Sequence, residues 1–73
     1  MERVGKRIRA LREAHGMTRF DLSIAALVRE RNLVNWELGR TAPSDMAALV
    51  RIANVLETTA EDLVSGAAHD SKG

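Results

Sequence analysis

Seventy-three residues with 45% hydrophobic content, one Pro and no Cys leave room for a single core and exclude both a disulfide framework and a thiolate metal site. No apolar run approaches the ~18 residues that a membrane span needs, and the opening MERVGKRIRA lacks the apolar segment of a signal peptide, so a cytoplasmic protein is expected. The formal charge of +1 hides a division: residues 1–43 carry nine Lys or Arg against five Asp or Glu, and residues 44–73 carry two against five, as though one part faced a polyanion and the other did not.

Val4, Ile8 and Leu11 recur at i, i+4 and i+7 in a basic segment closed by Gly16, which predicts an amphipathic helix over 2–15. Thr18 with Asp21 resembles a capping box and opens a second helix around Leu22 and Ala26. Residues 18–38 contain neither Gly nor Pro, yet one straight helix there would carry the Leu22 and Ala26 stripe onto Arg29 or Glu30 and aim charge at the core. A break near Leu27 and Val28 restores the apolar face, with Leu33 and Trp36 turned inward on a third helix. The run IAALV, residues 24–28, is then expected as a buried corner between the two.

Gly39 to Pro43 reads as a turn, and Ser44 is expected to cap a fourth helix whose core face holds Met46, Leu49, Val50, Ala53 and Leu56. Thr59 with Asp62 offers a further capping box for a short fifth helix that buries Leu63 and ends near Gly66, leaving residues 67–73 as a flexible C-terminal tail. The expected fold class is all-α, five helices in one domain over residues 1–66, with no strand signal.

Two helices meeting at a tight corner, the second polar along its outer side, is the arrangement that presents a helix to a DNA major groove. The segment from Met17 to Gly39 resembles the lambda-repressor-like, Cro-type helix-turn-helix family of xenobiotic-response-element-like regulators. The resemblance rests on Thr18, Asp21, Leu22, Val28, Leu33, Trp36, Glu37 and Gly39, followed by Arg40 and Pro43. GKRIRALREAHGM is similar to that family's first helix and LVRIANVLETTAEDLV to its last two, so about residues 4–64 are covered. This chain departs from the family at Arg19, often Gln; at Ser23, usually Ala; at Leu27, usually Gly; and at Arg29, usually a Ser or Thr cap. The resemblance implies a lambda-repressor-like domain with its helix-turn-helix at about residues 18–38. It further implies a sequence-specific, double-stranded DNA-binding transcriptional regulator, a small phage or prokaryotic repressor that occupies an operator.

By the same resemblance the base-reading positions are Arg29, Glu30, Arg31 and Asn35. Their chemistry suits that role, since Arg pairs bidentately with guanine, Asn with adenine, and Glu accepts from cytosine N4. The plainer alternative is that Arg29 and Arg31 bend back into water or pair with Glu30 on the helix surface. Phosphate contacts are implied at Arg19, beside a helix amino terminus, and at Arg40, with Asn32 placed to contact phosphate backbone or base. Arg12 and Glu37 are implied as a structural ion pair, and the phase shared by Trp36 and Leu33 makes the tryptophan a core anchor. Phe20, Ile24 and Leu38 are apolar where the family is usually polar; they form either a partner patch or extra core.

Leu27 has two possible conformations. Keeping the positive φ of the family's glycine would cost a leucine on the order of 1 to 3 kcal/mol, whereas burying its side chain at negative φ would gain roughly 1.5 to 3 kcal/mol. A rebuilt, buried corner is therefore expected, with Leu27→Gly destabilising. His15 and His69 lack ligand spacing, and no Ser/His/Asp constellation or phosphate-binding glycine loop is present, so neither metal, cofactor nor enzymatic activity is expected. The expected partners are an operator duplex and, because one short helix reads few bases, a second copy of the chain meeting the first through the fourth and fifth helices. The rival reading is a protein-interaction module, antitoxin-like or regulator-binding, that uses Phe20, Ile24 and the acidic carboxyl half; the salt dependence of duplex binding separates the two.

Overall fold

The structure, a computed structural model, describes residues 2–70, with side chains within 4–65. Five helices follow in order: α1 Glu2–Ala14, α2 Arg19–Ala26, α3 Glu30–Glu37, α4 Met46–Val55 and α5 Ala60–Asp70. No strand occurs among the described residues, and no described helix is long and apolar enough to cross a membrane. The all-α, five-helix expectation holds.

Packing follows from the apolar phase of each helix. Val4 and Ile8 of α1, Leu22 and Ala26 of α2, Leu33 and Trp36 of α3, Leu49 and Ile52 of α4 and Leu63 of α5 meet in one core. Around it α1 lies against α3 and α5, and α2 lies against α3 and α4. Between α1 and α3 the backbones approach closely: a Cβ on Gly5 would fall inside the Trp36 carbonyl and 3.0 Å from the Glu37 amide nitrogen.

Four helices end by one device, a residue with left-handed backbone followed by an amide that reaches back five residues. Gly16, Leu27, Gly39 and Glu57 have φ of 69°, 58°, 78° and 60°. The amides after them, on Met17, Val28, Arg40 and Thr58, donate to the carbonyls of Arg12, Ser23, Asn35 and Ala53 at 2.8 to 3.1 Å, which satisfies carbonyls the helix itself leaves open. At the opposite ends, Thr18 and Asp21 form the expected reciprocal box. Thr59 accepts from the Asp62 amide at 2.9 Å.

Several expectations need correction. The corner at residues 24–28 is not buried: Leu27 is left-handed and 75% exposed, and Ile24 and Ala25 are also at the surface. Of that run only Ala26 is fully buried, with Val28 partly so, because the stripe Leu22 to Ala26 already fills the core side of α2 and the backbone reverses directly after it. The α4 cap is Asp45, not Ser44; its carboxylate accepts from the Ala47 amide at 3.0 Å. Met46 and Val50 point to solvent, since the core face of α4 runs through Leu49, Ile52, Ala53 and Leu56, about a quarter-turn away. Finally, α5 does not stop near Gly66 but continues to Asp70, as nothing there breaks the ladder. Of the expected tail, residues 71–73 lie outside the described residues.

The corner now predicts the reverse of a cavity. A leucine held at φ 58° costs about 1 to 2 kcal/mol, glycine brings an entropic penalty of about 0.5 to 1 kcal/mol, and a side chain so exposed gives up little burial. Leu27→Gly should therefore raise the thermal midpoint by a few degrees; a lowered midpoint in calorimetry would rule this account out.

Candidate nucleic-acid interface

The buried polar centre lies between α1 and α3. Arg12 donates through Nε and Nη2 to the two carboxylate oxygens of Glu37, at 2.9 and 3.0 Å, and through Nη1 to the Met17 carbonyl at 2.8 Å. Both side chains are almost wholly buried, so the fork geometry matters: it supplies two charge-assisted bonds where water cannot. The hydrogen bond to Glu37, outweighing burial, raises the Arg12 pKa above its ordinary value. The structural ion pair read from the sequence is thus present, and it fixes the end of α3 against α1 and the loop into α2.

Arg19, at the first position of α2, brings its Nε to 3.5 Å from the same Glu37 carboxylate. It remains partly exposed, so it joins the buried pair to the surface beside the amino terminus of α2. Its charge is shared with Glu37, which makes it a tethered cation rather than a free one.

The outer side of α3 carries the other candidate residues. Arg31, Asn35 and Leu38 stand at i, i+4 and i+7 and so share one face, with Glu30 and Val34 beside it. Arg31, Glu30 and Leu38 are exposed and Asn35 is half-buried. Arg29 sits at the cap of α3 without a side-chain acceptor for the first amides of the helix. Among the described residues Glu30 forms no ion pair, so of the plainer alternative the pairing with Arg29 or Arg31 is not realised, while both arginines are exposed to water. Arg40 is exposed immediately beyond Gly39, where its amide closes the end of α3.

The arginines divide by partner, while Lys6 on α1 is exposed and forms no ion pair among the described residues. Arg7, Arg9, Arg12 and Arg19 meet carboxylates, and Arg51 donates to backbone carbonyls. Among the described arginines, those with no protein partner are Arg29, Arg31 and Arg40, one before α3, one in its first turn and one just after it. Asn32 and Asn35 also make no side-chain hydrogen bond among the described residues. Asn32 and Arg29 turn toward an open cleft of about 330 Å³, walled also by Trp36, Ser44, Asp45, Ala48 and Arg51.

Phe20 and Ile24, 58% and 61% exposed, are surface residues, as is Leu38; the extra-core alternative is excluded. Phe20 and Ile24 continue in phase to Leu27 along the outside of α2, whereas Leu38 shares the phase of Arg31 on α3. His15 places Nδ1 2.8 Å from the Leu11 carbonyl and Nε2 3.5 Å from Glu57; the side chain of His69 lies outside the described residues. No group of three or more metal-ligating side chains occurs among the described residues.

Three residues escaped the sequence reading. Gly5 had a weak signal, an isolated glycine inside a helical pattern, where its propensity is poor and a packing reason is the usual explanation. Glu57 and Arg51 had none, because neither a left-handed glutamate nor a side chain reaching 25 residues back along the chain leaves a local pattern. Comparison with family models, curated proteins and solved structures finds no match to this chain.

Proposed function

We propose that this chain is a sequence-specific, double-stranded DNA-binding regulator of the lambda-repressor-like type, acting in the cytoplasm by occupying an operator with α3 in the major groove. The observation that carries this reading is the clustering of partnerless Arg29, Arg31 and Arg40 about one short helix. Water solvates these exposed cations, and three of them gathered about one helix offer a phosphate backbone or guanine edge the charge and donors it takes. Arg31 and Asn35, on one face, read bases; Glu30 beside them selects for a cytosine amine and disfavours other contacts. Arg40, Arg19 and Asn32 contact backbone, and the uncapped amides at the start of α3 assist. A second copy bound one helical turn away would double the site read.

Selection from a random duplex pool tests this directly. Against the selected sequence, Arg31→Ala and Asn35→Ala should each lower discrimination by roughly 1 to 3 kcal/mol at one base position. Arg40→Ala should weaken all duplexes alike and flatten the salt dependence. A pool that yields no enriched sequence, or a motif unchanged by both α3 substitutions, would sink the assignment.

A second reading is favoured by a separate observation, the exposed stripe Phe20, Ile24 and Leu27 on α2. It makes the chain a protein-interaction module on the same fold. This reading expects no salt-dependent duplex binding, and loss of partner capture in Ile24→Asp.

A further inference from the structure

We infer that Arg51 is a positioning residue for duplex recognition: from α4 it fixes the turn between α2 and α3, and with it the angle at which α3 is presented. The inference rests on the DNA-binding reading above. Arg51 donates through Nε to the Ala26 carbonyl at 2.9 Å and, more weakly, through Nη2 to the Leu27 carbonyl at 3.4 Å. Ala26 is the last residue of α2 and Leu27 the left-handed residue that reverses the chain. A cation at that helix end meets the negative end of its dipole as well as carbonyls that lack a helical donor.

The Val28 amide closes the turn on the Ser23 carbonyl and Val28 packs on the core, but among the described residues Arg51 is the side chain that bonds the carbonyls of the turn itself. Leu27 lacks the freedom of glycine at positive φ, and its side chain is too exposed to be held by burial. Strained backbone of this kind persists only where neighbours over-determine it. Arg29, which follows, contributes no side-chain cap. Arg51 therefore helps to set the orientation of the first turn of α3 through the backbone it grips, while Glu37 anchors the far end.

The geometry amplifies small errors. The eight residues of α3 span about 12 Å, so a tilt of about 10° at one end displaces the other by about 2 Å. Base-edge hydrogen bonds do not survive such a shift, because they need donor and acceptor within a few tenths of an ångström. Phosphate contacts tolerate it, being long-range and non-directional. Loss of Arg51 should thus separate two quantities that loss of a DNA contact would change together.

The test compares affinity for the duplex selected by the unaltered chain with affinity for an unrelated duplex, over a range of salt, at a temperature where circular dichroism shows each variant folded. Arg51→Met should lower the ratio of the two affinities about tenfold, the worth of one base contact, with the salt slope unchanged. Arg51→Lys, which keeps the charge and one donor but not the fork, should show a smaller fall and serves if Arg51→Met does not fold. A merely structural role lowers the folded fraction and reduces both affinities equally, so an unchanged ratio in these variants overturns the proposal. A reduced salt slope also overturns it, by making Arg51 a phosphate contact. If the unaltered chain enriches no duplex, the DNA-binding reading falls and this proposal with it; an enriched duplex with an unchanged ratio removes this proposal alone.

Discussion

Gly5→Ala should destabilise the domain by about 3 kcal/mol, lowering the thermal midpoint by 10 °C or more. Helix propensity alone predicts the opposite sign, since alanine is favoured over glycine by about 1 kcal/mol within a helix. The propensity argument loses because the added methyl would overlap the Trp36 carbonyl and crowd the Glu37 amide. Both are backbone groups of α3, which cannot rotate aside as a side chain would, so α1 must lift away from α3. That movement loosens Val4 and Ile8 against the core and strains the Arg12 fork to Glu37. A domain of this size has little stability in reserve. Thermal unfolding followed by circular dichroism decides the matter, and a midpoint equal to or above that of the unaltered chain would refute the close approach of the two helices.

The second large effect is expected at Glu37. Removing one partner of a buried pair costs about 3 to 5 kcal/mol, because the remaining charge is stranded away from water. In Glu37→Ala the guanidinium of Arg12 keeps the Met17 carbonyl and a long, 3.9 Å ion pair with the exposed Glu13, and Arg19 loses its tether. Replacing both charges together, as Arg12→Met with Glu37→Leu, removes the stranded group and should recover most of the loss. Equilibrium unfolding in urea of the single and double variants measures the difference. If the double variant is as unstable as Glu37→Ala, the loss comes from something other than an orphaned charge.

What could be read in advance was whatever local chemistry encodes. Gly16 and Gly39 announced two of the four left-handed helix ends, and Thr18 with Asp21 announced the start of α2, because those residue types have few other uses at such positions. Leu27 and Glu57 perform the same task as the two glycines yet carry no mark of it. At Leu27 the expected burial fails for a specific reason: once the chain reverses in the left-handed region, Cβ points to solvent, and residue type alone carries no sign of that direction. On α4, the pairs Met46/Val50 and Leu49/Ile52/Ala53 are each compatible with a helical stripe, and only the positions of α2 and α5 decide which of them faces inward. The cap at Asp45 instead of Ser44 is a one-residue ambiguity between two good capping residues. At the candidate interface the exposed cations of α3 follow from its phase, whereas the sharing of Glu37 between Arg12 and Arg19, and the reach of Arg51 to the turn, arise only from tertiary approach.

Leu63, fully enclosed on α5, and the ion pair of Arg7 with Asp62 join the fifth helix to the first. The long-range order of the domain is therefore closed by its last-made element. As the chain leaves a ribosome, α2 and α3 can meet through a three-residue turn at small entropic cost, but α1 has one flank bare until residues about fifty positions later have emerged. Until α5 emerges, that side of the core stays open. A pause before α5 would expose Val4 and Ile8 to other nascent chains, while swift completion seals them.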